Sequence, residues 1–590
     1  MWRAEMAVVD LSRPRPDATG PASRQKMPKP FALVIGAVAV VILFLTAFPL
    51  LKILGFSMTL ITDGSLQEIT STPWFWPMIR DTTIVVGAHA VITVAIAAGL
   101  AWINERTNAR MGVLSDVLPL IPLFLPAVAM AIGWSVLAAP DVGFFNGALN
   151  GLLGPLGIDW QLNIYSYVGV IFVYVLHSVP YAYLPIAAAF RNSDSSLEEA
   201  ARVSGASNWT VLRTISIPAI IPAVVSAFVL VTIVGFSLYS VPVVLGNKAG
   251  LQILQVQIVN SIQGSYPARY DHAIAISTLL LVTLAVFWYV QNRITRKGHF
   301  AKISGKSGRA SRVELGRSRW IFRTLLGLYL LLSAVLPVAA LVIVSLQAFW
   351  QPNLATSIWT LDHFNSVLFE NPIAGAAIRN SLVLGLIVGA ITVVLAALVV
   401  VYAQISKGRL GKYANWTGKV VPAAIPNSVL AVGFILALSG PPFSLGGTLL
   451  IVALAYFIAF LPYASIAIES SAAQIGGELR EASALSGAGP GRTFRSVILP
   501  LLRPGLFAAW ALVFVRGAGE LEMAVLLGSG NSPLMGFLLL DVFQQGSYNQ
   551  MAALALTMTC LTMPVVFVMM LLGKPRWKRS FSASRKETAS

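Results

Sequence analysis

Few side chains in this sequence could do chemistry, and the most unusual are three charges inside one apolar run. Arg516, Glu520 and Glu522 interrupt the stretch 506–527. In lipid, a charge at mid-depth costs roughly 3 kcal/mol on insertion scales, so such groups belong in a protein interior or a wet cavity. Arg516 and Glu520 are four apart, which places them on one helical face and allows an ion pair. Glu522 is turned about 200° from Glu520 at about 100° per residue and must meet a different neighbour. Two roles are open: an internal Arg516–Glu520 pair between helices, or a carboxylate lining a path that favours a cationic solute. A third placement puts all three in the external headgroup layer. His89 and His177 have no second His, Cys or carboxylate at ligand spacing, so no metal site is expected and both read as hydrogen-bonded packing residues. Tyr174, Tyr181 and Tyr183 could line a path or anchor an interface. Cys560 is the sole cysteine, sits in an apolar run, and reads as packing. Gly305-Lys306-Ser307 invites a nucleotide-loop reading, but Phe300 stands where that loop needs glycine and no strand precedes it. No His-rich or Asp-rich catalytic motif is present, so an enzyme is not expected.

The elements that must position these residues are helices in a membrane. The chain is 56% hydrophobic and 11% charged, against about 25% charged in a soluble domain. Twelve apolar runs occur, at 31–58, 82–103, 114–137, 167–190, 219–244, 273–290, 321–346, 381–403, 420–437, 447–468, 506–527 and 551–572. Spanning the hydrocarbon takes about 20 such residues, and only helices satisfy their own backbone there once strand-like alternation is absent. The fold class is therefore an all-α polytopic membrane protein of about twelve transmembrane helices.

The formal charge of +17 is not a nucleic-acid signal, because it is confined to one side. It lies in a tail (1–30) expected to be disordered, in the connection 293–320 and in the tail 573–590. Ten basic residues fall between Arg293 and Arg323, opposed by Glu314 alone. Loops on the other side carry few, Lys248 and Arg269 among them. By the positive-inside rule both termini are cytoplasmic. The first run is too long for a signal-peptide core and reads as a retained helix.

The sequence repeats. Glu199-Ala200-Ala201-Arg202-Val203-Ser204-Gly205 returns as Glu481-Ala482-Ser483-Ala484-Leu485-Ser486-Gly487 at an offset of 282, which also pairs Arg213 with Arg495, Pro218 with Pro500, Pro222 with Pro504, and Pro180-Tyr181 with Pro462-Tyr463. Earlier in each half the offset is 300, pairing Pro126 and Gly133 with Pro426 and Gly433, as a longer external loop at 139–165 would produce. Two halves, 31–292 and 321–572, thus keep the same orientation as a parallel pseudo-dimer with its pathway between them. At the offset of 282 the charges 516, 520 and 522 match Val234, Leu238 and Ser240, so they belong to one half only. Within the first loop, Ser196 to Glu199 has capping-box spacing for a short helix, Gly205 is placed to end it with positive φ, Ser207 to cap a second helix, and Pro218 to mark re-entry into the bilayer; in the second, Pro490 follows Gly489 at a first-turn position.

These loops resemble the signature of binding-protein-dependent ABC importer permeases: Glu-Ala-Ala, three residues, Gly, nine residues, then an apolar-x-apolar-Pro ending. The first copy ends Ile215-Ser216-Ile217-Pro218; the second departs with Ser483 and ends Val497-Ile498-Leu499-Pro500. The resemblance runs from about 31 to 572. It implies type I permease halves whose loops, through Glu199, Ala200, Ala201, Gly205, Arg213 and Pro218 and through Glu481, Ala482, Gly487, Arg495 and Pro500, dock on two copies of a cytoplasmic ATPase. That partner would hold ATP and magnesium, with no cofactor on this chain, and an external solute-binding protein would deliver substrate across the bacterial inner membrane. Among fused two-half permeases, the segments Phe300–Lys306, Val313–Arg317, Val241–Gly246, Glu520-Leu521 and Ala524–Leu527 resemble the ferric-iron group. Thiamine, polyamine and phosphonate permeases share much of the pattern. An ion-coupled carrier, the remaining class, has no use for twin docking loops.

Overall fold

Apolar runs in lipid satisfy their backbones as helices, and the described residues do so. The computed structural model describes residues 29–157, 161–193, 196–297, 312–405, 425–473, 479, 482–483, 486 and 490–573. Among the described residues the only extended pairings are isolated bridges. Among the described residues ten helices are long and apolar enough to cross a membrane, or eleven with one bent pair, beside an expectation of about twelve over the whole chain. The run 114–137 carries Pro119, Pro122 and Pro126; it folds as a short 3-10 turn, Leu118–Phe124, and a helix, Ala127–Ala138, meeting at 100°. Proline lacks the N–H that would continue a helix through these points. The run 420–437 is described only from residue 425, and its helix Asn427–Leu438 spans 12 residues, about 18 Å at ~1.5 Å each. The run 506–527 is two helices, broken after Ala518.

The helices used below are α1 Lys29–Thr62, α2 Phe75–Arg106, α3 Ala127–Ala138, α4 Tyr167–Asn192, α5 Ser196–Val203, α6 Asn208–Phe236, α7 Tyr270–Lys297, α8 Gly316–Leu346, α9 Pro372–Ile405, α10 Asn427–Leu438, α11 Leu449–Ala473, α12 Phe494–Ala518, α13 Glu522–Leu527 and α14 Tyr548–Gly573. In the first half α2, α4 and α6 pack mutually; in the second, α9, α11 and α12 repeat the triangle. The first helix of each half also packs against the other half. α1 packs on α10 of the second half, and α8 packs on α3 of the first. Glycine permits both crossings: a Cβ on Gly133 would sit 2.6 Å from the Cα of Pro337 on α8, and one on Gly433 2.9 Å from the Cβ of Pro49 on α1. These two glycines are the pair matched at the offset of 300. Each half is therefore completed by a helix of the other.

The connection between halves is partly ordered structure. α7 extends to Lys297 and α8 begins at Gly316; the segment between, up to residue 311, lies outside the described residues, as do both tails and the Gly305-Lys306-Ser307 motif. Val313 bridges Thr107, donating its N–H to Arg106 O at 2.8 Å and accepting from Asn108 N–H at 3.1 Å. The N–H of Leu315 donates to Asn108 Oδ1 and Arg323 Nε to Ala109 O. The end of the connection is thus fastened to the turn after α2.

Candidate functional site: the seam and the loops

Proline inside a helix leaves an i−4 carbonyl without its donor, and both loop-to-span helices handle this alike. A π turn, Leu212–Ser216, precedes Pro218; another, Phe494–Ile498, precedes Pro500. The helix therefore runs unbroken through Pro218 from Asn208 to Phe236. Each helix then ends at a matched place, α6 before Ser237 and α12 before Gly519.

The break after α12 decides the geometry of the three charges. Glu520 is not on the helix of Arg516. Its Oε2 accepts the N–H groups of Met523 (2.7 Å) and Ala524 (3.1 Å), two of the orphan donors at the start of α13. Its Oε1 receives Asn427 Nδ2 at 3.4 Å. Among the described residues no ion pair within 4.0 Å joins Arg516 to Glu520, so the first of the roles left open by the sequence is not the one adopted. The Arg516 guanidinium instead lies over two rings, with its carbon 5.2 Å from the centroid of Tyr181 and 4.9 Å from that of Tyr463. Glu522 is buried and its Oε1 has no hydrogen-bond partner. A cavity of about 100 Å³ collects Arg516, Glu520, Glu522, His177, Asn427 and Tyr239 between first-half and second-half elements. Matching breaks after α6 and α12 thus bring Ser237–Ser240 and Gly519–Glu522 to one place.

His177 and His89 differ from expectation. Both are buried, but neither nitrogen of His89 and not Nδ1 of His177 has a hydrogen-bond partner. His89 packs edge-on against Tyr174 at 5.3 Å, while Tyr174 donates to Leu238 O and Tyr183 is reached by Asn104 Nδ2. Among the described residues no three His, Cys, Asp or Glu side chains are grouped to hold a metal. Cys560 is exposed on α14 and not packed inside.

The first loop folds as its residues dictate. α5 ends in a Schellman arrangement, with Ala206 N–H to Ala201 O and Gly205 N–H to Arg202 O, and Gly205 at φ 88°. The Ser207 side chain accepts from Thr210 N–H and starts α6. Glu199, Ala200, Arg213 and Pro218 are exposed and Ala201 is partly so. The buried acid is the neighbour, Glu198, which sequence reasoning passed over. Glu198 Oε1 accepts from Ser216 Oγ at 2.8 Å and lies 3.5 Å from Arg106 Nε, both charged side chains being almost fully enclosed. Arg106 Nη2 donates to Phe190 O (2.8 Å), to Ser193 O (3.1 Å) and to Ser193 Oγ. One node therefore joins the ends of α2 and α4, the short helix α5 and the base of α6. No sequence signal marks Arg106, which reads as one more basic residue at a span end. In the second loop Glu481 and Gly487 lie outside the described residues. Ala482, Arg495 and Pro500 are exposed, and Ser483 Oγ meets Thr493 Oγ1 at 2.9 Å.

The family described as the binding-protein-dependent transport system inner membrane component matches residues 90–293 and 418–574. A ferric transport system permease protein of Actinobacillus pleuropneumoniae is 21% identical over 574 residues, covering 95% of this chain and 82% of its own. A putative ferric transport system permease protein of Haemophilus influenzae is 24% identical over 507 residues, covering 84% and 78%. A putative 2-aminoethylphosphonate transport system permease protein of Salmonella paratyphi A is 28% identical over 231 residues, covering 39% of this chain and 84% of its own.

Proposed function

The chain belongs to the family of binding-protein-dependent transport system inner membrane components, and from that premise we propose that it is the permease of an ATP-driven importer, passing ferric iron through the seam between its halves by alternating access. The observation that supports a cationic solute is Glu522, a buried carboxylate with an unpartnered oxygen at the seam cavity, with Glu520 beside it. Buried charge of this kind is rare in membranes and marks solute paths. Carboxylates at this point favour ferric iron over an anionic phosphonate, and the two ferric relatives align over most of the chain.

The chain hydrolyses nothing itself. Two copies of a cytoplasmic ATPase, carrying ATP and magnesium, dock on the repeated loops, a solute-binding protein docks on the opposite face, and both termini are cytoplasmic. Leu197, Val203 and Trp209 stand exposed around the Gly205 bend; apolar side chains grouped on a loop outside the spans suit a protein partner. The Arg106–Glu198 node then makes a push on α5 a push on α2, α4 and α6 together, as rigid-body switching requires.

The test is reconstitution of the full complex in proteoliposomes with ATPase and binding protein. ATP-dependent uptake of radiolabelled ferric iron, abolished by a hydrolysis-dead ATPase, is the expected result. Iron uptake that persists with the dead ATPase, or uptake of 2-aminoethylphosphonate in place of iron, overturns the reading.

A further inference from the structure

Arg516 is a cation with no carboxylate within 4.0 Å among the described residues. Its guanidinium lies over the rings of both Tyr181, on α4 of the first half, and Tyr463, on α11 of the second. These tyrosines are partners in the repeat, 282 apart, whereas the partner of Arg516 is Val234. Two repeat-related rings flanking one side chain place that side chain astride the seam. Two carboxylates line the same cavity as Arg516, yet neither approaches the guanidinium within 4.0 Å among the described residues, and Glu520 is engaged with the start of α13. The chemical difference matters. A salt bridge would cancel the field of the arginine, while neutral rings hold the cation through their quadrupoles and leave its charge in place. A fixed positive charge in a narrow, poorly hydrated passage repels other cations, as in pores that exclude protons and metal ions.

We propose that Arg516 is the charge barrier of the closed pathway, resting on the reading of the seam cavity as that pathway. When the halves part, Tyr181 withdraws with the first half and the guanidinium loses one of its two ring faces. It can then leave the seam, and Glu520 and Glu522 become the groups that an incoming multivalent cation meets. Arg516 is thus a specificity-determining residue for closure as well as for passage: it keeps protons and monovalent cations out while the seam is shut.

The experiment measures leak, which a merely structural arginine would not control by its charge. The full complex is reconstituted in vesicles without nucleotide or binding protein, and proton and thallium entry are followed by dye under an imposed potassium diffusion potential. R516Q is expected to raise leak about tenfold over wild type, and R516K, which keeps the charge but loses the planar stack, to stay within about twofold. A tight R516Q overturns the proposal, as does an R516K that leaks as much as R516Q. If R516Q fails to assemble with the ATPase, R516M is the deciding variant: it keeps most of the side-chain volume and removes the charge, and a tight R516M is equally fatal. The underlying pathway reading fails separately, through an E522Q variant that imports iron normally. An import-defective E522Q beside a tight R516Q would leave the pathway standing without this barrier.

Discussion

Glu198 and Glu522, rather than the more conspicuous Glu199 and Glu520, are the acids with the most at stake in the residue-level chemistry. Glu198 sits in a buried pair, and removing one member of such a pair strands the other at about 3–5 kcal/mol. R106M is therefore expected to lower the unfolding temperature of the detergent-purified complex and to abolish ATPase stimulation by loaded binding protein. Unchanged stability would remove the node from the coupling scheme. At the bend, G205V forces a β-branched residue into the left-handed region, a strain of about 1–2 kcal/mol. Reduced ATPase stimulation with normal assembly is expected, and wild-type stimulation would count against a rigid two-helix lever. The two seam acids should separate. E520Q removes charge from a carboxylate that holds the first turn of α13, so it mainly weakens folding, by about 1 kcal/mol as for a lost cap. E522Q leaves those hydrogen bonds alone and should depress iron uptake while assembly and basal ATPase activity persist.

At the scale of elements, the repeated π turns and the repeated glycine–proline crossings carry the architecture. A π turn before Pro218 and Pro500 lets the loop helix and the span behave as one lever, because the proline defect is absorbed within one turn instead of breaking the helix. The crossings of α1 over α10 and α8 over α3 depend on a missing Cβ. G133L would drive a side chain into the Pro337 backbone, where overpacking costs about 1–3 kcal/mol or more. G433L should do the same against Pro49. Either variant is expected to show early unfolding and loss of uptake, measured against Gly36→Leu, a position with open space around it. Equal behaviour of all three would mean that the crossings tolerate expansion.

For the whole molecule, the first helix of each half packs against the other half, so the halves bury apolar surface against each other and the connecting chain need not hold them together. Cutting within residues 302–312 and co-expressing the halves should therefore preserve uptake. The structure adds a second arm to this experiment, because Val313 and Leu315 are hydrogen-bonded to the turn after α2. Replacing 313–315 by proline, with the chain uncut, removes those N–H donors beside Arg106 and should weaken coupling more than the cut does. Lost uptake from correctly inserted split halves would show that the connection is more than a tether.

The sequence by itself determined the membrane class, the two-half repeat, the twin loops and the helix–bend–helix form of the first of them. Each follows from local composition or from a match at fixed offset: apolar length dictates helices, and a glycine after a capped helix dictates positive φ. It also singled out Arg516, Glu520 and Glu522, since charge inside an apolar run is visible without coordinates. What it assigned wrongly was their relation, because an unbroken helix was assumed across Gly519. Spacing of four implies a shared face only while the helix lasts, and the break at Ala518 sends Glu520 to the α13 amides and Arg516 to the tyrosines. The bend in the run 114–137 has the same kind of cause, at Pro119, Pro122 and Pro126, where apolar content persists but the N–H groups that continue a helix do not. Only tertiary structure decided that Arg106 meets Glu198, 92 positions away, that α1 and α8 each pack against the other half, and that Tyr181 and Tyr463 close on a single guanidinium. Contacts between distant segments depend on how surfaces fit in three dimensions, and neither periodicity nor repeat offset carries that information.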